Sequence, residues 1–169
     1  MSTAHWWRAY RSLRLSEDLH VLERWLEPLL AGLQPGQRAR LARQVGLLLR
    51  RGQQRRIAAQ RNPDGSPYAP RRRTAPAREK RGRIKRMAMF AKLRQGKHLR
   101  VRADPQQVSV GFTGRVSRIA RVHQEGRTDA VSPRGPRVRY ERRGILGFSA
   151  DSAERIREAI LEHLADDAR

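Results

Sequence analysis

There is no cysteine in this chain, which excludes a disulfide framework, a thiol nucleophile and any cysteine-based zinc site. The chain therefore needs no oxidising compartment and suits a bacterial cytoplasm or an intracellular assembly. No apolar run approaches the roughly 18 residues of a membrane-spanning helix, so no membrane partner is expected. The opening Met1-Ser2-Thr3-Ala4-His5-Trp6-Trp7 lacks the charged-then-apolar layout of a signal peptide. Aromatics are scarce, with three each of Trp, Tyr and Phe. Acids are scarce too: 16 Asp+Glu face 38 Lys+Arg, for a formal net charge of +22. At 169 residues the chain is sized for a single domain with a modest core.

The excess charge is confined. Residues 1–33 hold four basic and four acidic side chains, while residues 34–102 hold 22 basic and two acidic, a balance of +20. Residues 103–150 carry +5 and residues 151–169 carry −3. Of the 38 basic residues 34 are Arg, which grips phosphate or carboxylate in a bidentate fork and is less strongly hydrated than Lys. A polyanion is one partner for such a stretch; an acidic protein surface is the other, since Arg is enriched at protein interfaces.

Leu15, Leu19, Leu22, Leu26, Leu29 and Leu33 form a helical stripe behind a plausible Ser16 cap, with Trp6, Trp7 and Trp25 extending it and Pro28 bending or ending its first half. Pro35 opens a second helix, over 36–61, with Leu41, Val45, Leu48, Leu49 and Ile57 on one side and Arg on the rest. Asn62, Pro63, Asp64 and Gly65 form a turn that stops it. Residues 66–86, rich in Pro and Arg, read as an extended loop, and Met87 to Gln95 as a short helix. His98–Ala103 and Val108–Phe112 alternate with period two around Asp104-Pro105, a hairpin. Residues 116–123 return to helical spacing and stop at Gly126; Thr128 to Arg137 is loop-like, and Val138 to Tyr140 a short strand. Ser149 or Asp151 caps a last helix whose apolar face is Ile156, Ile160, Leu161 and Leu164. The fold class is α+β: two N-terminal helices, a small antiparallel β-sheet with packed helices, and a C-terminal amphipathic helix. The organisation is 1–61 helical, 62–86 loop and 87–169 compact α+β.

Catalytic patterns are missing. His5, His20, His98, His123 and His163 are scattered, with no metal-binding spacing, and Gly111-Phe112-Thr113-Gly114 matches neither a Walker A nor a dinucleotide loop. Glu154, Glu158 and Glu162 repeat every four residues, the pattern of a solvated helix face, while Asp64, Glu79 and Asp104 are too dispersed for a metal nuclease. No catalytic, metal or cofactor residue is assigned. The chain also carries no zinc finger, aromatic RNP pair or KH-type loop. Its second helix is too long, and too evenly ringed by Arg, for a helix-turn-helix reader. Any DNA contact would be to the backbone and salt-sensitive.

The order of motifs is more telling. A Leu-rich helix precedes Gln53-Gln54-Arg55-Arg56-Ile57-Ala58-Ala59-Gln60-Arg61 and Asn62-Pro63-Asp64-Gly65-Ser66-Pro67-Tyr68-Ala69-Pro70-Arg71. Then come Met89-Phe90-Ala91-Lys92-Leu93-Arg94, Ile119-Ala120-Arg121-Val122-His123-Gln124-Glu125-Gly126, and Arg142-Arg143-Gly144-Ile145-Leu146-Gly147-Phe148-Ser149 ahead of a terminal helix. Over roughly residues 15–165 this resembles the phage virion morphogenesis family, the tail completion proteins of contractile-tailed temperate bacteriophages and related prophages. Glu125 stands where that family usually has an aromatic.

The resemblance implies a non-enzymatic structural protein of the virion tail or neck, present in the host cytoplasm during assembly and acting at the head-proximal end so that tails can join heads. It points to tail terminator, tail tube or neck/connector proteins as partners and to a homo-oligomeric ring, the acidic partner of the basic stretch being either such neighbouring subunits or the end of the packaged DNA. Candidate assembly residues are Arg55, Arg56, Arg71, Arg72 and Arg73 in the basic stretch, His123 and Gln124, and Arg142 and Arg143 flanking the apolar Ile145, Leu146 and Phe148. For His123 a helix-terminal cap is the plainer reading; for Ile145 to Phe148 it is intramolecular core. The rival function is a non-specific nucleic-acid-binding protein that contacts phosphates through 34–102.

Overall fold

The computed structural model describes residues 31–71 and 88–167, together with Arg24 and Glu27. Leu15, Leu19, Leu22, Leu26 and Leu29, the three tryptophans, Pro28 and residues 72–87, Arg72, Arg73 and Met87 among them, lie outside the described residues. Arg24, Glu27 and Ala31 are helical, and Leu33 packs on the core.

Pro35 opens helix α1 (Pro35–Ala58), where its fixed φ suits the first turn and its missing amide costs nothing. Just ahead of it the Gln37 side chain accepts the Gln34 amide at 2.7 Å. The buried positions of α1 include Leu41, Val45, Leu49, Gln53 and Ile57, each four residues after the last. Steps of four advance about 40° around a helix of 3.6 residues per turn, so this stripe winds as it climbs. Its first half and its last turn consequently face two different cores. Leu41, Val45 and Leu49 meet Ile156 and Ile160, whereas Ile57 meets Leu93, Ala120 and Ile145.

Strands β1 (Leu99–Ala103) and β2 (Val108–Phe112) pair antiparallel from Leu99 opposite Phe112 to Ala103 opposite Val108. Asp104 closes the turn by accepting the amides of Gln106 and Gln107, both at 2.9 Å. The hairpin lies directly on α1 because residue 46 has no side chain. A Cβ there would stand 2.4 Å from Val101 Cγ1 and 2.8 Å from Val108 Cγ2. Helix α2 (Val116–Glu125) stops at Gly126, whose φ of 67° is the left-handed cap. Helix α3 (Ala150–Asp167) starts behind Ser149, whose hydroxyl accepts the Ser152 amide at 3.3 Å. Among the described residues no helix is long and apolar enough to cross a membrane.

Three expectations need correction. Of the short helix expected from Met87 to Gln95, residues 88–95 are instead a chain of turns: Phe90 takes φ 64°, and the Met89 amide is bound by a side chain rather than by a helical carbonyl. The segment from Thr128 to Arg137 contains a second hairpin, β3 (Thr128–Ala130) antiparallel to β4 (Arg137–Arg139), too short for alternation to announce it. Leu161 is 48% exposed, and Ala159 takes its place on the buried face of α3 beside Ile156 and Ile160.

The Gly46 crossing is testable. Gly46→Val should cost about 2–3 kcal/mol, because two β-branched valines cannot rotate away from the added methyls. Urea unfolding monitored by circular dichroism measures it, and an unchanged midpoint would mean that the hairpin does not rest on α1 at this point.

Candidate assembly site

Gln53 to Gly65, His123 to Gly126 and Arg142 to Phe148, far apart in the chain, meet in one seam. Its centre is the extended run Arg143 to Gly147, which belongs to no helix or strand. Buried backbone of that kind must find its hydrogen bonds elsewhere, and here side chains supply them. The Gly144 amide donates to Asn62 Oδ1 at 2.8 Å. Gln124 pairs with Leu146 as a neighbouring strand would, accepting its amide at 2.9 Å and donating to its carbonyl at 3.0 Å. The Gly147 carbonyl accepts from Gln53 Nε2 at 2.7 Å and Arg56 Nη1 at 2.8 Å, and Arg56 also reaches the Ile145 carbonyl at 2.9 Å and the Gln53 side-chain oxygen. Gly144 is needed for close approach, since a Cβ there would lie 2.6 Å from Pro63 Cδ. The turn itself forms as its sequence implies. Asn62 exchanges backbone hydrogen bonds with Gly65 (3.0 Å) and Ser66 (2.7 Å), and Gly65 takes φ 84°.

Arg143 is the least expected member of the seam. Only 4% exposed, it donates through Nε to the Ala69 carbonyl at 2.8 Å, through Nη2 to the Pro70 carbonyl at 2.8 Å and through Nη1 to the Glu141 carbonyl at 3.2 Å. Its Nη1 also lies 3.2 Å from His123 Nδ1. Arginine can only donate, so His123 accepts at Nδ1 and is neutral, with its proton on Nε2. Burial, then the charges of Arg143 and Arg71, push the imidazole down to about 4. The ring is packed edge-on between Phe90 and Tyr140, with centroids at 4.8 and 4.9 Å, and Phe90 in turn meets Tyr68 at 5.7 Å. This aromatic row and the Arg143 fork fasten residues 68–70 to the body just before the basic run starts at Arg71.

The sequence-derived candidates thus divide. Arg56, Gln124 and Arg143 hold the chain's own backbone. Ile145 is fully buried and offers no surface to a neighbour, Leu146 is half-buried, and Phe148 packs on the core beside α3. Arg55, Arg71 and Arg142 are exposed. Arg55 borders an open cleft of about 270 Å³ between α1 and the start of α3, lined also by Gly52, Arg61, Ser149, Asp151 and Ser152. Arg40, Arg43 and Arg51 continue the exposed basic side of α1. Sequence reasoning passed over Gln53 and Gln60; the latter pairs with Met89 through amide bonds of 2.7 and 2.9 Å. Their only signal was a buried-stripe spacing (Gln53) and a place next to the turn (Gln60). Among the described residues no group of three or more His, Asp and Glu is placed to hold a metal ion.

Arg143→Ala should lower the unfolding free energy by about 3 kcal/mol, because it removes three hydrogen bonds to backbone carbonyls and leaves a buried side-chain site empty. Arg142→Ala, at an exposed position, should stay within about 0.5 kcal/mol of the parent. Equal effects of the two in urea titrations would contradict the division. His123 adds a pH dependence. Its folded pKa lies below its unfolded value, so its contribution is complete above about pH 6.5 and is lost as pH falls towards 4. His123→Gln keeps an acceptor and removes the titration. Its melting temperature should start lower but fall less between pH 7 and pH 4, and parallel profiles would exclude His123 as the titrating group.

Comparison with known proteins places the chain. The profile of the phage virion morphogenesis family matches residues 17–165. The chain is 44% identical over 140 residues to tail completion protein S of Escherichia phage P2, covering 82% of this chain and 92% of that one. No solved structure matches it. With a family match that takes in α1, α2, both hairpins, all three segments of the seam and nearly all of α3, the chain belongs to the phage virion morphogenesis family.

Proposed function

We propose that this chain is a structural tail completion protein, working without catalysis at the head-proximal end of a phage tail to make it competent for head joining. The observation that carries the reading is the 44% identity to a tail completion protein across 92% of that protein's length. The seam is consistent with a structural task. Its polar groups are committed to the chain's own backbone rather than aimed into a cavity, which suits a rigid platform better than a reactive centre.

On this reading the exposed arginines of α1, among them Arg40, Arg43, Arg51 and Arg55, and the basic run from Arg71 through Arg72 and Arg73 form the working surface. They meet acidic surfaces of tail terminator, tail tube or neck proteins, or of sister subunits in a ring, inside the virion. The end of the packaged DNA is the other polyanion within reach of such a surface. Deleting the gene from its phage should give full heads and finished but unjoined tails by electron microscopy, with joining restored by the chain supplied in trans. Joined particles without the chain would end this reading.

The density of exposed Arg on α1 favours one rival, non-specific binding to nucleic acid through phosphates. Tight binding of the purified chain to random duplex DNA, with an affinity falling steeply as salt rises, supports it. Absence of measurable binding at low salt removes it.

A further inference from the structure

Three large apolar side chains are exposed among the described residues: Ile119 at 50%, Val131 at 53% and Leu161 at 48%. Single exposed apolar residues are ordinary, but the surroundings of these differ in a systematic way. Val131 sits at the tip of the β3–β4 hairpin, with Arg134, Arg137 and Arg139 exposed around it. Ile119 follows Arg118, whose guanidinium binds Asp129 at the hairpin's base. Leu161 lies instead on the outer face of α3, among the exposed Glu158, Glu162 and Asp166, with Arg157 one turn before it bound to Glu154 at 3.2 Å.

The hairpin is an arm. Its strands pair from Thr128 opposite Arg139 to Ala130 opposite Arg137, and its turn is closed by Val131 donating to the Pro136 carbonyl at 3.1 Å. At its root Tyr140 donates to the Arg127 carbonyl at 3.0 Å. A two-stranded ribbon is marginal in water unless a further surface covers it. Side chains alternate across it, so Arg137 and Arg139 stand on one face with Thr128 and Ala130, while Asp129 and Val138 point to the other. Asp129 turns towards Arg118 of α2, which leaves the arginine face outward.

The spacings on the two surfaces agree. Residues two apart on a strand are separated by about 6.7 Å, and residues one turn apart on a helix by about 6 Å. Arg137 and Arg139 therefore span nearly the same interval as Glu158 and Glu162, and Leu161 lies beside that acidic pair. Arg139, Glu158 and Glu162 take part in no ion pair among the described residues.

We propose that the β3–β4 arm of one copy of this chain docks on the outer face of α3 of a second copy, with Arg137 and Arg139 against Glu158 and Glu162. The occupant is a second copy because one chain carries both halves of the match on separate surfaces. Contacts of this kind are head-to-tail, and they close into a ring when the rotation between neighbours permits. The inference rests on the reading of the chain as a self-assembling structural subunit, and it adds the surfaces involved.

Sedimentation velocity on the full chain tests it. The wild type should associate beyond the monomer, less so as salt rises. Arg137→Glu with Arg139→Glu, or Glu158→Arg with Glu162→Arg, should each weaken association at least about tenfold by placing like charges together. All four positions are exposed, so circular dichroism should show an unchanged fold. In an equimolar mixture of the two double variants each arm meets a helix face of opposite sign on the other variant, one pair native and one reversed, so the mixture should recover association, and a single chain carrying all four reversals should recover wild-type assembly. A monomeric wild type would overturn the inference, leaving the arginines as guards of an open strand edge. So would double variants that associate like the wild type, or a quadruple variant that stays apart. Gene deletion tests tail completion independently, so either result can fail without the other.

Discussion

The structure depends on one problem of hydrogen bonding: Arg143 to Gly147 crosses the buried middle of the molecule with no strand beside it. Each unpaired buried amide or carbonyl costs about 1–3 kcal/mol, so the run is stable because side chains, together with the His123 carbonyl that accepts the Arg143 amide at 2.7 Å, act in place of a strand. Asn62, Gln124, Gln53 and Arg56 do so, with donor–acceptor separations of 2.7–3.0 Å. Their geometry in turn dictates where α1 ends, how α2 is set and where the Asn62–Gly65 turn must lie. Packing agrees with this. Ile145 can be fully buried between Ile57, Leu93 and Ala120 only because the polar atoms on both sides of it are satisfied.

The same seam changes the meaning of the charge. A net +22 presents as a surface property, yet two of the arginines nearest the motifs, Arg56 and Arg143, are spent on carbonyl oxygens inside the chain. Arginine suits that role because its planar fork presents several donors in fixed directions, and carbonyl dipoles can hold it without a carboxylate. What remains outside is divided between a basic side on α1 and the β3–β4 arm and an acidic side on α3. A chain with both signs on separate faces has the means to recognise copies of itself as well as foreign polyanions.

Much of this was legible in the residues. The five-residue hairpin strands, Pro35 at the start of α1, the Asn62–Gly65 turn and the Gly126 stop follow from period, φ preference and donor count, which are local properties. The terminal helix was legible as a helix, though Leu161 on its outer face was not, because apolar character alone does not say which way a residue points. Of the hairpin from Thr128 to Arg139, the strand around Val138 was legible and its partner Thr128–Ala130 was missed, for the opposite reason. Three-residue strands give alternation nothing to act on, and their pairing is visible only as Thr128 lies opposite Arg139. Among the candidate residues, motif order picked segments that the fold joins in one seam, and it offered Arg143 and Gln124 for contacts with neighbours, whereas their side chains bond the chain's own backbone.

The sequence by itself determined the local elements, the confinement of charge to one stretch and the family, because each is written in neighbouring residues or in their order. Only the tertiary structure decided which arginines are internal. Arg143 is 74 residues from Ala69 and Gln53 is 94 from Gly147, and those separations carry no periodic trace. Whether a long polar side chain meets solvent, a partner or its own backbone depends on what the fold brings to its tip, and for these residues the fold brings an unpaired carbonyl.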